Sequence, residues 1–153
     1  LTIVIISISL VVLVSAWGQS ARHSGDPFWH AKAAYLGQAY LEEILTKRFD
    51  ENTPVGGQPA CTSATCSAAL GADAGETRAF FDDVDDYHGL NETPSENALG
   101  VIRPEYNSYQ VTVNVTYAGV ELGRPAKTVK RINVTVTPPG ESAQLFVVYR
   151  GNY

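Results

Sequence analysis

The chain has 153 residues and a mass of 16.5 kDa, with 11 Lys and Arg against 16 Asp and Glu for a formal charge of −5. That length supplies one ordinary domain, and a hydrophobic content of 44% excludes wholesale disorder. An acidic chain with no basic stripe argues against nucleic acid as the main partner, because phosphate binding needs clustered Lys and Arg.

The sequence contains no Met, so Leu1 reads as the start of a processed or truncated chain. Residues 1–18, LTIVIISISLVVLVSAWG, carry no charge. Every formal charge therefore lies after Gly18, which divides the chain into an apolar segment with a hinge, 1–25, and a soluble head, 26–153. A run that is apolar on every side has no polar face, so it lies in lipid or is sheathed by other protein. Ile3, Val4, Ile6, Leu10, Val11, Leu13 and Val14 are the packing side chains of such a segment, and Trp17 suits a membrane interface. As a helix, the run to Trp17 reaches roughly 25 Å, slightly short of a ~30 Å hydrocarbon core. The alternative is a secretory signal peptide with Val14-Ser15-Ala16 as its cleavage site. No basic flank precedes the run, and the expectation is a retained anchor.

Gly18–Gly25 is polar and poor in helix formers. Asp26-Pro27 is a helix start, with Asp at the N-cap and Pro at the first helical position. The segment to Arg48 contains no further Pro, and Trp29, Ala33, Leu36, Tyr40, Ile44 and Leu45 share one face at helical spacing. This predicts an amphipathic helix over 26–48 that continues the apolar one, forming a long N-terminal helix. Lys47 and Arg48 would complement its negative C-terminal end.

Residues 50–105 form loops. Cys61 and Cys66 are the only cysteines; two so close together outside a membrane most simply form a disulfide, which places the head in an oxidising compartment. Farther on, Asp82, Asp83, Asp85 and Asp86 put four carboxylates within a five-residue span. Carboxylates at this density invite a hard cation such as Ca²⁺, although the spacing is not that of an EF-hand loop. The competing reading is a solvated turn with Asp caps, helped by Gly89 and Asn91.

From Tyr109 to Tyr117, Val111, Val113 and Val115 alternate with polar residues. Lys127–Thr137 alternates again through Ile132, Val134 and Val136, and Gln144–Arg150 is apolar on both faces. These are strands by period and by β-branched content. The connections between them are too short for helical crossovers, so the sheet over 109–153 is expected to be an antiparallel meander, with the amphipathic helix covering its apolar face. The fold class is thus α+β: a long N-terminal helix, one half apolar and one half amphipathic, packed on a small antiparallel sheet. No nucleophile motif, P-loop, dinucleotide fingerprint or HExxH is present. His88 beside Asp86 is the nearest approach to an acid–base pair, and a hydrogen-bonded loop histidine is the commoner role. The chain reads as a non-enzyme.

Together, these elements resemble the type IV pilin-like family. LTIVIISISLVVL, 1–13, is similar to the segment just after the Phe-Thr-Leu-Ile-Glu start of mature pilins. GQAYLEEILTKRFDEN (37–52), GETRAFFDDVDDYHGLNE (75–92) and YRGNY (149–153) resemble the MshD-type minor pilins of the mannose-sensitive haemagglutinin pilus. The resemblance implies a bacterial inner-membrane precursor with its head in the periplasm, cut by prepilin peptidase and passed by the assembly machinery into an extracellular filament. There its apolar segment would pack against other pilin subunits, priming assembly or sitting near the tip and aiding adhesion. It also implies that about five residues precede Leu1, which would lengthen the apolar helix to about 33 Å. The peptidase site and the acidic residue of the mature N-terminus are not in this sequence. A type II secretion pseudopilin shares the same elements, and a tethered or secreted module binding Ca²⁺ or carbohydrate is the alternative from another class.

Overall fold

The computed structural model describes residues 26–153. Among these residues are one α-helix, α1 (Asp26–Leu45), and four strands: β1 (Asn91–Glu92), β2 (Gln110–Tyr117), β3 (Val129–Thr137) and β4 (Gln144–Gly151). The strands pair antiparallel in the order β1-β2-β3-β4. Short 3-10 turns fill the connections, among them Arg78–Phe80 and Asp85–Tyr87.

This corrects the expected fold class. Instead of a long N-terminal helix on a small sheet, the described residues hold a single 20-residue helix on a four-stranded antiparallel sheet. Pro27 fits a helix start, because within a helix interior it would remove a backbone hydrogen bond and collide with the preceding turn. The apolar segment, its hinge and the packing positions from Ile3 to Trp17 lie outside the described residues. Among the described residues, no helix is long and apolar enough to cross a membrane.

The other end of α1 also differs from expectation. The helix stops at Leu45, not Arg48, with Thr46 N–H donating to Glu43 O at 3.2 Å and Lys47 N–H to Ile44 O at 3.1 Å. Arg48 has left the helix. Its N–H donates to Asp82 O at 3.2 Å, and its carbonyl accepts from Val84 N–H at 3.0 Å, a parallel bridge to the acidic segment. β1 is likewise new, since 50–105 was expected to contain only loops. It is two residues long and places Glu92 opposite Val111.

The meander has the expected strands and direction. Val111, Val113 and Val115 face the helix beside Val136, Val134 and Ile132, their register partners on β3. Ala33, Leu36, Tyr40 and Ile44 of α1 complete this core and are fully buried. Each large apolar side chain removed from water in this way contributes about 1.5–3 kcal/mol. The opposite face carries Thr112, Asn114 and Thr116 on β2, Asn133 and Thr135 on β3, and the exposed Leu145, Val147 and Tyr149 on β4. A smaller apolar cluster joins Phe49, Cys61 and Cys66, with Tyr117 packed against it.

Candidate functional site

Where α1 ends, the inward face of the sheet changes character. The row after Val115, Ile132 and Val148 consists of Tyr117, Lys130 and Arg150, paired across β2, β3 and β4. The helix no longer covers this row. The chain from Arg48 to Thr53 and the acidic segment Asp82–Asp86 reach this end of the core, and they bring charge into it.

Lys130 is fully buried. Its ammonium contacts the Asp85 carboxylate and the Phe49 carbonyl, and it lies 3.5 Å from Asp50 Oδ2. The Phe49 ring centroid is 4.3 Å from Nζ, giving the charge an aromatic face. Asp50 accepts from the Asn52 and Ser67 amides at 3.0 and 2.9 Å, and the Tyr117 hydroxyl lies 3.3 Å from its Oδ2. Burial pushes the Asp50 carboxyl upward, but those amides and the Lys130 charge outweigh it and hold it below the usual range.

The four aspartates of the predicted cation site have separate tasks. Asp82 pairs with Arg48, which also holds Glu51 at 2.9 Å. Asp83 Oδ1 accepts from the Asp85 and Asp86 amides at 2.6 and 3.3 Å, as an N-cap does for a helix. Asp86 Oδ2 accepts from the Asp82 and Asp83 amides at 2.8 and 3.0 Å. Asp85 turns inward to Lys130. Carboxylates close enough to share an ion fall into different sets: Glu51 with Asp82 and Asp83, and Glu76 with Asp82 and Asp86. Asp85 belongs to neither set, so the predicted quartet is not assembled around one point.

Nor is the segment a solvated turn: Asp83, Asp85 and Asp86 are all buried. Burial, followed by the charges of Asp85 and Asp86, pushes the Asp83 carboxyl up to about 7. Burial also raises Asp85 to about 6, against the pull of Lys130.

A second buried network lies under the middle of α1. Arg78 Nη2 is 2.5 Å from Glu43 Oε1, and its Nε donates to Glu92 Oε1 at 2.9 Å. The Tyr87 hydroxyl donates to Glu43 Oε1 at 2.7 Å, and the Tyr40 hydroxyl donates to Glu92. Burial, together with those carboxylate partners, raises both phenols above their ordinary value. Helix, sheet and the 75–92 segment are thereby tied together by one guanidinium stacked near the rings of Tyr87 and Phe81, 5.0 and 5.6 Å from Cζ.

The predicted disulfide is present, with Cys61 and Cys66 bonded at 1.99 Å. His88 does not pair with Asp86; its Nδ1 accepts from Val115 N–H at 3.2 Å. Lys130, Arg78, Glu43 and Glu92 belong to these networks although no motif in the sequence singles them out. A signal existed for Lys130, which is in phase with Ile132, Val134 and Val136 on the inward face. Arg78 had no such signal, because it sits in a segment without periodicity.

Comparison with protein-family models, curated proteins and solved structures returned no match.

Proposed function

We propose that this chain is a structural, non-enzymatic subunit of a bacterial type IV pilus of the mannose-sensitive haemagglutinin kind, a minor pilin of the MshD type. Residues 1–17 hold the precursor in the inner membrane with the head in the periplasm. After prepilin peptidase cleavage and transfer by the assembly machinery, they pack against the same segments of neighbouring subunits. Moving an uncharged surface from lipid tails to other apolar side chains involves little hydrophobic driving force, so packing and polar contacts set the order of assembly.

The observation that carries this reading is the confinement of every charge to residues after Gly18, behind an unbroken apolar run. The head supports it in two ways. Its buried Lys130 and Arg78 each meet two carboxylates of the same chain, which ties helix, sheet and loops into one rigid unit. Its edge strand β4 exposes Leu145, Val147 and Tyr149, with exposures of 60, 46 and 45%, an apolar stripe suited to lateral contact in an assembly.

The test is Leu13→Asp in the native host. A charge within the apolar run costs several kcal/mol in either surrounding, so the variant is expected to be missing from sheared filaments while its head keeps wild-type protease resistance. Normal incorporation would overturn the proposal.

A further inference from the structure

Arg150 occupies the inward row beside Lys130, yet it lacks what Lys130 has. Among the described residues, no carboxylate lies within ion-pair distance of its guanidinium, whereas Lys130 contacts both Asp85 and Asp50. Arg150 Nε is shut off from water and has no hydrogen-bond partner. The Tyr153 ring, 6.0 Å from its Cζ, is the nearest compensation. A half-buried guanidinium without a counter-charge is costly, and it is suited to binding an anion bidentately.

Arg150 lines a cavity of about 330 Å³. Lys47 and Arg48 line it too, and no Asp or Glu does, on a chain whose net charge is −5. Arg48 is occupied by Glu51 and Asp82. Lys47 donates to the Phe81 carbonyl at 2.6 Å, leaving two of its three ammonium protons for another acceptor. Pro54, Val55 and Tyr153 add apolar wall. Gly57 shapes the rim. Its φ is +80°, and a Cβ there would lie 2.9 Å from the Tyr153 main-chain oxygen, so a side chain at this position would both strain the backbone and collide.

We propose that this cavity binds a small organic anion of monosaccharide size, its carboxylate or phosphate held by Arg150 and Lys47 and its carbon skeleton lying against Pro54, Val55 and Tyr153. The volume is at the lower end of the range for ligand pockets. This inference stands apart from the pilus reading, since it rests only on the head.

The experiment is calorimetric titration of the full chain in detergent with glucuronate, glucose 6-phosphate and glucose. At least one of the two anions is expected to bind in the millimolar range or tighter, with glucose silent, and the pair separates a carboxylate site from a phosphate site. Arg150→Gln is expected to weaken the binding at least about tenfold, whereas Arg124→Gln, at an arginine outside the cavity, leaves it unchanged. In the wild-type chain, the bound anion is expected to shift the amide resonances of Gly56 and Gly57, a readout that does not depend on any variant folding. Absence of binding by both anions, binding of glucose equal to theirs, or full binding by a folded Arg150→Gln chain would each overturn the proposal.

Discussion

The Lys130 ammonium on β3 meets the Asp85 carboxylate of the acidic segment where neither is open to water, the side-chain exposures being 0 and 4%. Bringing two charges out of water opposes folding, and their attraction, aided by the Phe49 carbonyl, offsets that cost. The pair joins the sheet to a segment that has almost no regular structure of its own. Removing one partner leaves the other buried and uncompensated. Lys130→Met is therefore expected to cost about 3–5 kcal/mol, read as a lowered urea midpoint, and Asp85→Asn added to it is expected to recover part of the loss. A loss in the double variant equal to the sum of the Lys130→Met and Asp85→Asn losses would show that the two charges are not coupled.

Asp83 gives the head a specific response to pH. Its carboxyl lies at about 7 in the fold against an ordinary 3.8, chiefly through burial and then through Asp85 and Asp86. A carboxyl raised in this way binds its proton more tightly folded than unfolded. Its contribution to stability therefore declines as pH rises from about 4 to about 7 and stays low above that. Asp83→Asn imitates the neutral acid and keeps an oxygen for the Asp85 and Asp86 amides. It is expected to be nearly neutral near pH 4 and stabilising by about 1–3 kcal/mol near pH 8. Denaturation curves of both chains across that range test this, and a difference independent of pH would refute it.

Gly37 lets α1 approach β4. A Cβ on it would lie 2.5 Å from two ring carbons of Phe146. In an exposed helix, Gly→Ala gains about 1 kcal/mol. Here the sign is expected to reverse, with Gly37→Ala losing about 1–3 kcal/mol through overpacking. Combining it with Phe146→Leu is expected to cost less than the sum of the two single changes, as thermal denaturation of the three variants will report.

The Cys61–Cys66 bridge closes a very short ring, so its entropic benefit is at the low end for a disulfide. Replacing both cysteines by Ser is expected to cost about 2 kcal/mol. The loss should be local: hydrogen exchange is expected to speed up around Phe49–Ser67 while the β2 and β3 amides keep their protection. Unfolding of the sheet in this variant would show that the bridge supports more than its loop.

Several elements were legible because their signals are local. Val111, Val113 and Val115 alternate whatever lies above them, and Ala33, Leu36, Tyr40 and Ile44 are spaced to face one way on any helix. Both patterns were found where the period put them. The end of α1 was not legible. Lys47 and Arg48 resemble the basic last turn of a helix, but Arg48 is drawn away by a strand-like bridge to Asp83, a residue far along the chain. The two-residue β1 carries too little sequence to show a period, and it exists because β2 offers it a ladder.

The amphipathic helix, the three long antiparallel strands, the disulfide and the separation of an uncharged opening run from a charged head can all be read from the residues in line. Each follows from spacing between near neighbours. What the charges do emerges once the chain is folded. Asp82, Asp83, Asp85 and Asp86 resemble a cation site or a wet turn when read in line, yet Arg48, Lys130 and their own backbone amides divide them into separate roles. The physical reason is that a carboxylate's state depends on which cation, amide or apolar wall the fold brings within a few ångströms, and those partners are remote in the chain.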